Sequence, residues 1–159
     1  MTSLEHSPAS HSTSGRVLVI DDNDPVRRML SVALETAGFE VVEAGTQHEA
    51  HRRLAATRPD ALVLDLQRSE VDGLGLLSQL RACPDLDNVP VIFLAGCGDD
   101  DLRWQAMRAG ADWFGLRPLG MVELQKRVSK LVRTGRPRLR AIHGTRRRRV
   151  NVHRLKRTG

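Results

Sequence analysis

The sequence predicts an α/β fold: a five-stranded parallel sheet, doubly wound, with five flanking helices. Three observations carry this. Apolar runs without polar alternation recur along the chain, as strands buried on both faces require. Between them lie stretches with apolar residues at helical spacing. The links are short, and strand and helix alternate five times in about 120 residues. That count suits a small open sheet better than a closed eight-fold barrel.

The elements follow in order. Residues 16–20 (Arg-Val-Leu-Val-Ile) read as the first strand, and Asp21-Asp-Asn-Asp24 as the turn after it. Asp24 is placed to cap a helix whose first turn tolerates Pro25. Val26, Met29, Leu30, Ala33, Leu34 and Ala37 carry that helix, and Gly38 stops it. Residues 39–44 are the second strand. Thr46 caps a second helix running over Ala50, Leu54 and Ala55 to about Thr57. The run from Ala61 to Gln67 is the third strand, with no polar side chain before Asp65. Residues 73–82 form a third helix through Leu74, Leu76, Leu77 and Leu80. Residues 89–95 are a fourth strand, with Pro90 acceptable only near its start. Asp99 to Asp101 put negative charge at the start of a fourth helix, where the helix dipole favours it, and Gly110 ends that helix. Residues 111–116 are a fifth strand. Arg117-Pro118 breaks the chain, and Met121, Leu124, Val128, Leu131 and Val132 mark a fifth helix.

The charge is unevenly spread. Residues 1–132 hold 14 Lys+Arg against 19 Asp+Glu, and residues 133–159 hold 11 Lys+Arg and no acid. The body is therefore at −5 and the end of the chain at +11, so the net +6 describes the end and not the body. The chain divides into a Ser/Thr/His-rich leader (residues 1–15) expected to be disordered, a body (16–133) and a basic tail (134–159). Apolar content of 40% is enough for a core, and aromatic content of 3% leaves aliphatic side chains to fill it. No bilayer-spanning stretch or secretory signal is evident, and two cysteines without a disulfide framework fit a reducing compartment. A cytoplasmic protein without a membrane partner is expected.

The chemistry centres on Asp65, at the C-terminal end of the third strand. In open α/β sheets ligands bind at that edge. Asp21 and Asp22 end the first strand in the same way. If the two strands are neighbours, the three acids converge on one hollow, where like charges need a cation or a shared proton. Magnesium, which prefers a few carboxylates plus water, suits such a place. Asp65 is then a carboxylate nucleophile for a phosphoryl group, and Arg117 a cation for a remaining phosphoryl oxygen. A single Asp at these positions would read as a cap or turn residue. Three acids at two strand ends, with Arg117 before a proline, favour a site.

Several motifs together resemble the response-regulator receiver domain, the phospho-accepting half of two-component signalling. They are Val17-Leu-Val-Ile-Asp-Asp22, Ala61-Leu-Val-Leu-Asp65 followed by Asp72-Gly73, Pro90-Val-Ile-Phe-Leu94, and Ala109-Gly-Ala-Asp-Trp-Phe-Gly-Leu-Arg-Pro118. The resemblance implies a flavodoxin-like sheet, with Asp65 phosphorylated by a histidine kinase or phosphotransfer protein. It implies Mg2+ held by Asp21, Asp22, Asp65 and the backbone carbonyl of Gln67. It implies no enzyme of the ordinary kind. A phosphatase with an Asp nucleophile usually needs a second acid two residues on, and here that residue is Gln67.

The sequence departs from the family at the switch positions. Ala95 stands where Thr or Ser is usual, and it cannot donate a hydrogen bond. Arg117 replaces Lys, Phe114 stands at the switch aromatic, and Arg68-Ser69 replace Met-Pro. A weak or altered switch is expected. The alternative is a phosphorylation-independent scaffold whose basic tail, with Arg146-Arg-Arg-Arg149, binds nucleic acid or an acidic partner. Trp104 and Trp113 fall near the expected interaction face, and Cys97 reads as a plain loop thiol.

Overall fold

The computed structural model describes residues 14–66, 72–96 and 100–136. Its elements are β1 (Arg16–Ile20), α1 (Asp24–Thr36), β2 (Glu40–Ala44), α2 (Gln47–Thr57), β3 (Ala61–Leu66), α3 (Gly73–Ala82), β4 (Val91–Ala95), α4 (Asp100–Ala109), β5 (Trp113–Leu116) and α5 (Met121–Thr134). The five strands form one parallel sheet in the order β2-β1-β3-β4-β5. The expected fold class is the observed one.

Strand periodicity divides the core in two, because successive side chains leave a strand on opposite faces. Leu18, Ile20, Leu62, Leu64 and Phe93 point to one face and pack with Leu54 of α2, Leu76, Leu77 and Leu80 of α3 and Ala106 of α4. Val17, Val19, Val63, Ile92 and Leu94 point to the other and pack with Leu30 and Leu34 of α1 and Leu124, Val128 and Leu131 of α5. Each fully buried Leu, Ile or Phe stabilises the fold by roughly 1.5–3 kcal/mol. The aliphatic runs of β1, β3 and β4 thus fill both layers at once.

Several boundaries move from their sequence-based positions. Asn23, not Asp24, caps α1: its side chain accepts from the Val26 N–H, and Asp24 is already helical. Both are good caps one residue apart, and the helix register decides between them. Met29 is turned outward at 49% exposure. Strand β4 begins at Val91, since Val89 N–H is spent in a turn on Leu86 and Pro90 has none. Strand β5 begins at Trp113, because the Asp112 side chain accepts from the Val91 N–H. Strand β2 begins at Glu40, after Phe39 N–H closes the α1 terminus on Leu34. Thr46 caps α2 as expected, and Asp72 caps α3.

The body's contacts run from Ser14, whose N–H reaches Gly38, to Arg136. The rest of the leader and the tail beyond Arg136 lie outside the described residues, as do Gln67, Arg68, Ser69 and Cys97. Among the described residues no helix is long and apolar enough to cross a membrane.

Candidate functional site

The site lies at the C-terminal edge of the sheet. Strands β1 and β3 are neighbours, and their ladder ends on the pair Ile20 and Leu64. Asp21 and Asp65 come one residue later on each strand, so both carboxyls leave the sheet at the same level. Both residues are 1% exposed. Asp22, the third acid, is exposed. Among the described residues no three His, Cys, Asp or Glu side chains gather closely enough to hold a metal ion. The predicted convergence of three acids is therefore realised for two. Asp22 acts from outside, where its charge still disfavours ionisation of both Asp21 and Asp65.

The cation in the hollow is Arg117. Its Nη2 lies 3.0 Å from Asp65 Oδ1, with the Asp65 side chain fully buried. The Arg117 N–H bonds Ala95 O at 2.8 Å, which sets the start of the loop after β5 against the end of β4. The ion pair lacks hydrogen-bond alignment. Asp65 Oδ1 and Oδ2, Asp21 Oδ2 and Arg117 Nε and Nη2 are all buried without a hydrogen bond among the described residues. Orphaned buried polar atoms are uncommon, and this cluster makes the sheet edge the candidate site.

Burial governs the protonation of the acids. It pushes the Asp65 carboxyl up to about 7, with the Asp21 charge adding to the effect and Arg117 opposing it. Burial also raises Asp21, against the Asn23 N–H and Arg117, which favour its charged form. Desolvation and a like charge act in one direction here.

Sequence reasoning missed Arg27. Its Nη1 donates to Asp21 O at 2.8 Å, and the guanidinium pairs with Asp24 at 2.7 Å and Glu43 at 3.2 Å. With the Asn23 N–H on Asp21 Oδ1 at 2.8 Å, this fixes the β1–α1 turn. A basic residue on a helix gives no sign of such partners, because Glu43 comes from another strand.

The switch positions are both on the sheet. Ala95 is fully buried at the end of β4, opposite Leu116 of β5. Phe114 pairs with Phe93 across the β4–β5 ladder, and their rings stack with centroids 5.8 Å apart. Trp113 is half buried on the opposite face under the Arg127 guanidinium, while Trp104 is 61% exposed.

Comparisons with known proteins agree with this geometry. The family model for the response regulator receiver domain matches residues 17–129. The chain is 41% identical over 122 residues to the transcriptional regulatory protein PrrA of Mycobacterium tuberculosis, covering 76% of this chain and 51% of that protein. It is 32% identical over 121 residues to the phosphate regulon transcriptional regulatory protein PhoB of Pseudomonas aeruginosa, covering 76% and 53%. The chain thus spans about half the length of these curated relatives. A putative response regulator from Chloroflexus aurantiacus shares 31% identity with a TM-score of 0.71, covering 75% of this chain and 98% of that one. The signal receiver domain of a signal transduction histidine kinase from Syntrophus aciditrophicus shares 29% with a TM-score of 0.70, covering 83% and 97%. With the family pattern matched along nearly the whole described body, this chain belongs to the response regulator receiver domain family.

Proposed function

We propose that Asp65 is the phosphoryl acceptor of a two-component signalling receiver, and that a histidine kinase or phosphotransfer protein is the donor. One observation carries the reading: the Asp65 carboxylate is buried at the sheet edge, 3.0 Å from a guanidinium, with neither oxygen hydrogen-bonded among the described residues. Such a group is held in place by one ion pair and keeps acceptor capacity for a ligand. An Asp65 oxygen forms the new bond to phosphorus as the bond from phosphorus to the donor's leaving group breaks, and the leaving group takes the electron pair. Arg117 is placed to hold a phosphoryl oxygen, and Arg27 keeps Asp21 fixed beside it. In this reading the chain is an acceptor and not an enzyme.

The orphaned oxygens of Asp21 and Asp65 fit a small, hard divalent cation, since Mg2+ takes carboxylate oxygens and keeps several waters. Asp21 and Asp65 would hold it with the carbonyl of Gln67, which lies outside the described residues, and the exposed Asp22 would join them only by turning inward. When bound, it supplies positive charge that offsets the phosphoryl oxygens. The resemblance to signalling regulators along the body supports this reading over the phosphorylation-independent scaffold, whose basic tail lies outside the described residues.

Mass spectrometry after incubation with acetyl phosphate and Mg2+ tests the assignment. The native chain is expected to gain one phosphoryl unit, about 80 daltons (compare), and Asp65→Asn none. An adduct that persists in Asp65→Asn removes Asp65 from the role.

A further inference from the structure

At the opposite end of the sheet from Asp65, the Asp112 carboxyl sits at 4% exposure between two guanidiniums. Arg81 Nη2 reaches Asp112 Oδ2 at 3.0 Å, and Arg136 Nε reaches Oδ1 at 2.9 Å. Both arginines also donate to backbone carbonyls. Arg81 serves Gly110, Asp87 and Val89, and Arg136 serves Asp87 at 2.7 Å. Arg136 is the second residue past α5. This socket therefore fixes the position of Arg136 against the body.

The socket lies beside a groove. Asp87 is adjacent in sequence to Leu86, and Leu86 lines a cavity of about 350 Å³ between α2 and α3. Leu54, Ala55, Leu76 and Leu80 supply its apolar surface, and Cys83 and Asp85 stand on the side nearest the socket in sequence. His51, bonded to Gln79, and Arg58 complete the lining. A cavity of roughly 150 Å³ accepts a benzene-sized group, so this one has room for two aliphatic side chains.

We propose that this α2–α3 groove is the docking site for the chain's own segment just past Arg136, with Leu139 and Ile142 as the inserted side chains. Extended chain advances about 3.3 Å per residue, so these positions come within about 10 and 20 Å of path after the latch. Arg138 and Arg140 flank Leu139, and Asp85 in the groove lining supplies the opposite charge. Arg58 carries the wrong charge for a basic segment, so the half of the groove away from it is the part filled. Arg136 is a latch that can be let go. Asp112 keeps Arg81 and the Val91 N–H when Arg136 leaves, and Arg81 and Arg136 repel each other across it.

Cys83 in the groove wall reports on this directly. In the full chain carrying Cys97→Ser, Cys83 is the remaining thiol, and its alkylation by iodoacetamide is followed by intact mass. The double variant Leu139→Asp/Ile142→Asp is expected to label about tenfold faster, the factor that 1.4 kcal/mol of docking free energy gives. Arg136→Ala is expected to give part of that acceleration. Labelling of the native segment as fast as the double variant overturns the proposal. So does protection that disappears on dilution, which would place the segment of a second copy in the groove. None of these outcomes depends on phosphorylation of Asp65.

Discussion

Asp21 and Asp65 leave adjacent parallel strands at the same level, one residue past the Ile20–Leu64 pair, and both are 1% exposed. Two buried carboxyls facing each other cannot both ionise freely. Burial holds Asp65 up at about 7, and Asp21 is raised as well. In the unfolded chain an Asp ionises near 3.9. Between those values the folded protein holds a proton that the unfolded chain has released. The stability this gives is complete below about pH 4 and is lost as pH rises through about 7. In EDTA, Asp65→Asn is therefore expected to gain stability relative to the native protein as pH rises across that window. Urea denaturation at a series of pH values checks this, and curves that stay parallel would show that Asp65 titrates normally.

Arg117 stands where a bound cation would compete with it. Its guanidinium is 3.0 Å from Asp65 Oδ1 and is itself mostly buried, so screening by water is weak. Arg117→Ala removes a like charge from the neighbourhood of any Mg2+ ion. Two unit charges 4 Å apart interact by roughly 4 kcal/mol at an effective dielectric of 20, and side-chain relaxation reduces the net effect. The Mg2+ affinity of Arg117→Ala, titrated calorimetrically above pH 8 where Asp65 is ionised, is expected to rise severalfold. The phosphorylated state should lose a partner in the same variant, so the adduct forms more slowly or decays faster. An unchanged affinity would place the ion away from Arg117.

What the sequence made legible was whatever one short stretch encodes. The unbroken apolar runs of β1, β3 and β4 announce strands buried on both faces, and an acid at the end of two of them announces the edge that carries chemistry. Distance was not legible. Nothing in the chain says that Arg117 closes onto Asp65, that Asp22 stays outside, or that Arg27 reaches Asp21, Asp24 and Glu43 at once. Those contacts are set by strand order and helix rotation. Asp112 shows the same limit. It reads as part of a strand because apolar residues follow it, yet its carboxyl takes the first N–H of β4 and two guanidiniums.

Ala95 closes β4 with no exposed surface. Ala95→Thr adds a hydroxyl and a methyl group in a packed place, and overpacking of this size costs about 1–3 kcal/mol. At the sheet edge beside Asp65 the hydroxyl gains an acceptor once a phosphoryl group is present. The variant is expected to be less stable when unmodified and to show larger NMR shifts over residues 95–116 on adding beryllofluoride and Mg2+. Native shifts as large as those of the variant would show that the hydroxyl is not needed to move this face.

Asp112 and Arg136 touch, yet removing either should have a very different effect. Asp112 is 4% exposed and accepts from Arg81, Arg136 and the Val91 N–H. Asp112→Asn leaves the mostly buried Arg81 guanidinium and the part-exposed Arg136 guanidinium facing each other without their counter-charge. Breaking a buried pair from one side costs about 3–5 kcal/mol. The amide keeps the shape and one acceptor oxygen, which favours the lower end of that range. Arg136→Ala leaves Asp112 its other two partners and removes a repulsion from Arg81. Its cost should be near that of an ordinary hydrogen bond to a charged group, about 1.5–3 kcal/mol, less the repulsion relieved. Urea midpoints for the two single variants and the double variant measure this. The double variant is expected to be more stable than the sum of the single losses predicts, because with Arg136 gone the Asp112→Asn change strands only one guanidinium. Simple additivity would show that Arg136 and Asp112 are not coupled in solution, and the latch would then have no physical basis.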